Sequence, residues 1–196
     1  MKKIFLNLFV LILILNSKVV ADEIKNINRI FEGKENAKIT IITYESLTCG
    51  HCADFHKNIY PELKKNFIDT GIAKIEFRHF PLDMAAFNAS KIAQCRNDGS
   101  SELLHVLFSN QDKWVKGKTI EDANKNLKEF LKNKSIKIDF DKCIVNKKIE
   151  DYVLNDRIEG AKKFKVNATP TIIINDKKFD KPLNYKNLKK SIEKLI

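Results

Sequence analysis

Cys49 and Cys52 stand on either side of the dipeptide Gly50-His51. Thiols at that spacing, placed at the start of a helix, can close a disulfide with little backbone movement. A helix N-terminus favours negative charge, so it would hold Cys49 as a thiolate, and His51 adds partial positive charge beside it. A stabilised thiolate is a good leaving group. The disulfide form then becomes an oxidant that passes its bond to another dithiol. Cys52, further into the helix, is expected to be more buried, to stay protonated and to serve as the resolving thiol. Two other uses of the pair compete with this one. Zinc needs two further ligands, and Cys95 and Cys143 are isolated residues with no second paired spacing. An inert structural disulfide across so short a loop gains little stability. No metal and no cofactor is expected. A second element is Thr169-Pro170-Thr171, entering a returning strand, where proline is tolerated only at the first residue or an edge. A cis proline there would leave backbone groups open to an incoming strand.

These residues need a strand, a helix and a second strand to hold them. Lys38 to Ser46 carries Ile39, Ile41 and Ile42 among Thr and Tyr, which suits a central strand buried on both faces. A helix follows, with Thr48 as its expected N-cap and Phe55, Ile59, Leu63 and Phe67 as an apolar stripe that Pro61 should kink. Ala73 to Phe80 reads as the next strand, ended by Pro81. From Leu82 to Lys165 the pattern is helical. Thr119 opens one helix with Ile120, Ala123, Leu127, Phe130 and Leu131 on a face, and Phe140 to Phe164 forms a further helical stretch. Strand character returns at Thr171 to Ile174, with a turn at Asn175-Asp176 and a partner strand at Phe179. Asn184 caps a closing helix whose Tyr185, Leu188, Ile192 and Leu195 share one face. The class is α/β: strand-helix-strand, a helical block, then strand-strand-helix.

Met1, Lys2 and Lys3 precede an apolar run from Ile4 to Leu15 and then Val19-Val20-Ala21, the pattern of a cleaved secretory signal peptide over residues 1–21. The run is short against the roughly 20 residues of a membrane crossing. Cleavage would leave 196 − 21 = 175 residues, enough for one domain with a substantial core or one domain with an insertion. The formal charge of +11 includes Lys2, Lys3 and Lys18, so the exported part keeps 11 − 3 = +8. Its lysines are spread through every segment among Asp and Glu, which describes a solvated surface and not a nucleic-acid patch. All four cysteines lie in the exported part, where an even number suggests disulfides before metal.

On these residues the chain resembles DsbA-like thiol:disulfide oxidoreductases of the alpha-proteobacterial type. The resemblance runs from SLTCGHCADFH (Ser46 to His56) through FRHFPLD (Phe77 to Asp83) and FSNQDKW (Phe108 to Trp114) to ATPT (Ala168 to Thr171). It implies a thioredoxin fold made of residues 22–81 and 166–196, interrupted by a helical insertion over 82–165. It implies Cys49 as nucleophile, Cys52 as resolving thiol, His51 as the tuning residue, Pro170 as the cis proline facing the motif and Thr169 as a residue touching substrate. The implied activity is introduction of disulfides into exported proteins in the periplasm. Reduced or unfolded proteins would be its partners and a DsbB-like membrane protein its reoxidant, with no nucleic acid, and the chain would act as a monomer. A disulfide isomerase or reductase is the nearest alternative, although no extra dimerisation segment is seen. A surface-exposed binding protein with purely structural cysteines is another. The Gly50-His51 dipeptide has Gly where the best-known DsbA proteins have Pro, and is similar to that of eukaryotic protein disulfide isomerases.

The resemblance places a carboxylate six positions before the nucleophile, where this chain has Thr43. Glu45 lies two residues on, facing the same way in an extended strand and displaced by roughly 6–7 Å. It is the candidate acceptor for the proton that Cys52 exchanges, with a solvated carboxylate as the competing reading. Cys95 and Cys143 are expected to form a second disulfide within the helical block. His56 reads as a surface or packing residue, and His79 and His105 have no partner that the sequence can name. Trp114 and the phenylalanines read as core and packing residues, some of them candidates to line an apolar groove.

Overall fold

The computed structural model describes residues 27–196, so the expected signal segment over 1–21 lies outside the described residues. A five-stranded sheet runs in the order β1 (Phe31–Glu32), β3 (Ala73–His79), β2 (Ile39–Glu45), β4 (Thr171–Ile174), β5 (Lys177–Lys178). β2 and β3 are parallel, with Ile39 opposite Ala73 and Glu45 opposite His79. The other pairings are antiparallel. The continuous apolar run of β2 follows from its place at the centre, where its residues from Ile41 to Glu45 are all buried. β3 alternates, burying Ala73, Ile75, Phe77 and His79.

After β2 the chain forms α1 (Gly50–Asn58) and α2 (Tyr60–Leu63), then a π-helical turn over Lys64–Ile68. The helix breaks at Ile59, so Pro61 sits in the first turn of α2, where its missing N–H costs nothing. Between β3 and β4 lie α3 (Met84–Gln94), α4 (Glu102–Ser109), α5 (Gln111–Trp114), α6 (Ile120–Asn133), α7 (Phe140–Val145) and α8 (Lys147–Phe164), and α9 (Tyr185–Glu193) closes the chain. Thr119 caps α6 in a reciprocal capping box with Asp122. Phe164 ends α8, but the helical stretch from Phe140 is interrupted at Asn146, whose extended backbone and side chain cap a new helix.

Several details differ from the sequence reading. Cys49, not Thr48, is the N-cap of α1, because its own backbone is extended, and its side chain makes no capping bond. The partner of β4 is Lys177–Lys178. Asn175 and Asp176 both adopt positive φ and close the hairpin early, leaving Phe179 to donate its N–H to the Ile172 carbonyl. Ile120 is exposed although it falls on the apolar pattern of α6, and Leu195 is exposed because α9 ends at Glu193, before it. β1 was not read at all. It is a two-residue edge strand, too short to show a period.

The larger apolar cluster includes Ile41, Ile75, Phe77, Phe55 and Leu63 together with Leu104, Leu107 and Phe108 of α4. A second cluster joins Ile42, Tyr44, Phe80, Phe164, Val166 and Ile173. Gly160 of α8 is required there, since a Cβ would stand 2.7 Å from the Tyr44 ring. Cys95, the C-cap of α3, is bonded to Cys143 of α7, with Cα atoms 5.7 Å apart. The link spans 48 positions, and the chain-entropy treatment of such a loop gives about 4 kcal/mol. Replacing both by Ala is expected to lower the unfolding free energy by about 2–4 kcal/mol in denaturant titrations without reductant. An unchanged denaturation midpoint would show that α3 and α7 hold without the bond.

Candidate active site

Five hydrogen bonds fix the turn between β2 and α1. The Cys49 N–H donates to the Ser46 carbonyl at 3.0 Å. The Leu82 N–H donates to the Ser46 hydroxyl at 3.2 Å, and the Thr48 hydroxyl donates to Asp83 at 2.7 Å. From α5, the Gln111 amide donates to the carbonyls of Leu47 (2.7 Å) and Cys49 (3.1 Å). Sequence reasoning missed Gln111. Its only signal is its place within FSNQDKW.

Cys49 and Cys52 are both free thiols. Cys49 is half-buried at the helix N-terminus, whereas Cys52, one turn in, is fully buried. The Thr169-Pro170 peptide is cis and lies against the pair: the protonated Cys49 thiol donates to the Thr169 carbonyl at 3.4 Å. Pro170, Thr169, His51 and Leu183 line a groove beside the motif. His51 itself is exposed.

The two thiols are driven in opposite directions. Cys49 is lowered to about 5, first by the hydrogen bond from the Cys52 thiol, against burial, and then by Thr169 and the backbone N–H groups of Cys52 and His51. A thiolate cannot donate to the Thr169 carbonyl. The group that serves it is the Thr169 hydroxyl, which is buried and has no other partner. Burial pushes the Cys52 thiol far up, and the hydrogen bond to Cys49 and the charge of Glu45 add to it. A thiol of lowered pKa and a buried, protonated thiol therefore sit side by side, an arrangement suited to dithiol-disulfide exchange.

Glu45 is buried at the end of β2, which excludes the solvated reading. Its Oε2 lies 2.9 Å from His56 Nε2, and its Oε1 has no partner. His56 is correspondingly no surface residue: it is buried, bonded to Glu45, and its Nδ1 faces His105 Nδ1 at 3.0 Å. The signal for His56 was its position four residues after Cys52, on the same face of α1. His105 continues to Glu32 at 2.7 Å. His79 is separate, buried with its ring at Gln94 (3.2 Å), and burial lowers its pKa. Thr43 is buried mid-strand with its hydroxyl unpaired. Trp114 is buried in the larger cluster.

A thioredoxin-like sheet with a redox-competent thiol pair at a helix N-terminus and a cis proline against it defines the class. The thioredoxin family matches residues 25–194, and the chain belongs to that family, in its DsbA-like branch. The crystal structure of alpha-DsbA1 from Wolbachia pipientis superposes with a TM-score of 0.75 at 32% identity, covering 86% of this chain and 90% of that one. Disulfide bond formation protein D of Bacillus subtilis is 28% identical over 172 residues, 83% of this chain and 74% of its own. A Rickettsia bellii relative is 28% identical over 145 residues, 73% of this chain and 55% of its own. The chain spans about half the length of the rickettsial relatives it matches.

The ultraviolet absorbance of the Cys49 thiolate should titrate with a midpoint near 5, against 9 for an ordinary thiol. Because the folded-state pKa is the lower one, thiolate stabilisation of the reduced protein is complete above the ordinary thiol value and is lost as pH falls through about 5. Cys52→Ala should move the midpoint upward, since it removes the largest stabilising contact. A midpoint near that of free cysteine in the parent protein would refute this account.

Proposed function

We propose that the chain is a periplasmic protein thiol:disulfide oxidoreductase that introduces disulfides into exported proteins. The observation that carries this reading is the pair of adjacent thiols with opposed acidities lying against the cis Thr169-Pro170 peptide. A substrate thiolate attacks Cys49 Sγ in the disulfide form; the Cys49–Cys52 bond breaks and a Cys49–substrate bond forms. Cys52 leaves with the electron pair and takes up a proton. A second substrate thiolate then attacks the substrate sulfur of that bond. The substrate disulfide forms and Cys49 leaves as the stabilised thiolate. A DsbB-like membrane partner takes the two electrons and restores the Cys49–Cys52 bond. His51, exposed at the motif, tunes the thiolate. Substrate backbone lies along Thr169 and Pro170, in the groove they line, and the chain acts as a monomer.

Glu45 exchanges the Cys52 proton. A fully buried thiol resists ionisation, so a neighbouring base must take the proton during reoxidation and return it when Cys52 leaves. Glu45 is buried, its charge is felt at Cys52, and its Oε1 is open.

Refolding of a reduced, disulfide-containing protein in a glutathione buffer tests the reading. The parent should accelerate disulfide formation, and Cys49→Ser should return it to the uncatalysed rate. Glu45→Gln should slow Cys52-dependent resolution of a mixed disulfide by on the order of 100-fold while Cys49 still reacts. If oxidised glutathione cannot close the Cys49–Cys52 bond in the native protein, the proposal falls.

A further inference from the structure

Glu45 does not end at His56. Its Oε2 meets His56 Nε2 at 2.9 Å, His56 Nδ1 meets His105 Nδ1 at 3.0 Å, and His105 Nε2 meets Glu32 Oε1 at 2.7 Å. We propose that His56 and His105 form a proton relay that connects Glu45, beside the buried resolving thiol, to an open cleft between α1–α2 and α4. The inference rests on the thiol-exchange reading above and adds the route by which the Cys52 proton leaves the interior for His105, which lines the cleft.

Proton counting supports a relay over a static cluster. Three contacts need three protons, one for each hydrogen bond. Two arrangements of the same three satisfy every contact. In one, Glu45 is neutral and donates to His56, His56 donates from Nδ1 to His105, and His105 donates to Glu32. In the other, Glu45 is ionised, His56 donates to it from Nε2, and a doubly protonated His105 donates to both His56 and Glu32. Two short hops, at the nitrogen–nitrogen and nitrogen–oxygen contacts, convert one into the other. No bond is made or broken except to hydrogen, and the extra proton moves between Glu45 and His105.

The surroundings keep those hops in line. The His56 ring stacks on Phe108 (centroids 4.1 Å, planes 16° apart) and lies against Phe77, and the His105 ring stacks on Tyr60 at 4.6 Å. Neither ring needs to turn. Side-chain exposure rises from 3% at Glu45 and 5% at His56 to 26% at His105, so the relay runs from interior to surface. His56, His105, Tyr60 and Lys64 line a cleft of about 650 Å³ that none of Cys49, Thr169 and Pro170 touches. At the outer end, burial pushes the Glu32 carboxyl up, but hydrogen bonds from His105, Lys64 and Ser101 outweigh it and hold Glu32 well below the usual carboxylate range. The other ionisable groups around the relay are Cys52 and His79, which feel the charge of Glu45, the Tyr60 phenol, which burial keeps protonated, Lys64, which also pairs with Asp69, and Asp54, Lys57 and Lys65 along the cleft. Glu45 Oε1, free of the relay, is the oxygen left to exchange the proton with sulfur, and a half-turn of the carboxyl group brings that proton to face His56 as the first arrangement requires.

His105→Ala tests the relay, with Cys52-dependent resolution of a Cys49 mixed disulfide followed across pH. The expected result is a slowing by on the order of 100-fold with an unchanged Cys49 thiolate midpoint. Added imidazole should enter the cleft and restore the rate. Pyrazole, of the same shape but a far weaker base, should not. Equal rescue by both, or a parental rate and pH profile in the variant, would overturn the relay and leave the thiol reading intact. An inert Cys49 in the parent would instead defeat that reading. Should the variant fail to fold, nitrogen-15 spectra of the parent decide: one proton shared between the two facing Nδ1 atoms is expected, and a proton on both or on neither overturns the proposal.

Discussion

The chemistry of this fold depends on keeping two sulfurs within bonding reach while giving them opposite surroundings. Three residues along a helix N-terminus achieve this. Cys49 is the N-cap, where unpaired N–H groups converge, and Cys52, one turn later, has passed into the apolar cluster shared with Leu47 and Phe55. The separation of acidities is steep because it spans the protein surface. It therefore depends on where the helix starts. A start one residue later would place Cys49 outside the N-cap. The turn after β2 is accordingly tied from three directions, by Ser46 within it, by Leu82 and Asp83 after β3, and by Gln111 of α5. The helices inserted between β3 and β4 thus hold the thiol-bearing turn as well as covering the sheet.

A fully buried thiol that must gain and lose a proton requires polar groups in a region otherwise filled with Phe77, Phe108 and Leu107. Burying ionisable side chains is costly unless every one is paired. Glu45, His56, His105 and Glu32 are paired as a chain with aromatic rings on the flanks, and within it Glu45 Oε1 is left without a partner. This also explains β1. A strand of two residues at a sheet edge adds little pairing, but the register of Glu32 against Ile75 sets a carboxylate at the outer end of that chain. Asp156 shows the same logic without the opening to a cleft. It is buried, it accepts from Arg29 and the His79 N–H, and it joins α8 to the sheet.

What the sequence made legible was local. The paired cysteines, the strand before them, the proline entering β4, and the caps at Thr119 and Asn184 all declare themselves within a few residues. The periodicities that set the order of elements do so within a dozen. The remainder depends on juxtaposition. His56 and His105 are 49 residues apart and meet because α1 packs on α4. Glu32 reaches them from 73 residues before His105. No spacing rule connects these positions, so isolated histidines read as bland. Thr48 as a cap failed for a related reason. Asp83, 35 residues away, claims its hydroxyl, and the cysteine takes the capping position. One signal was available: an ionisable residue ending a strand buried on both faces needs a buried partner, and His56 lies one turn beyond Cys52 on the same helix.

The position of the carboxylate follows from the same requirement. At residue 43 the side chain sits mid-strand, with Phe77 and Ile172 as its neighbours across the sheet, and even the small Thr43 hydroxyl finds no partner there. An ionised group at that place would be buried and unpaired, at a cost of several kcal/mol. Two residues further, a strand step of roughly 7 Å, the sheet gives way to α1 and an imidazole is within reach. The strand end is also where the backbone of Glu45 accepts from the Phe80 N–H at 2.7 Å, which holds the residue in register as the chain turns toward the thiols. A buried acid at the end of β2 therefore depends on the histidine at 56. A carboxylate at 45 facing an apolar residue at 56 would be buried without its partner.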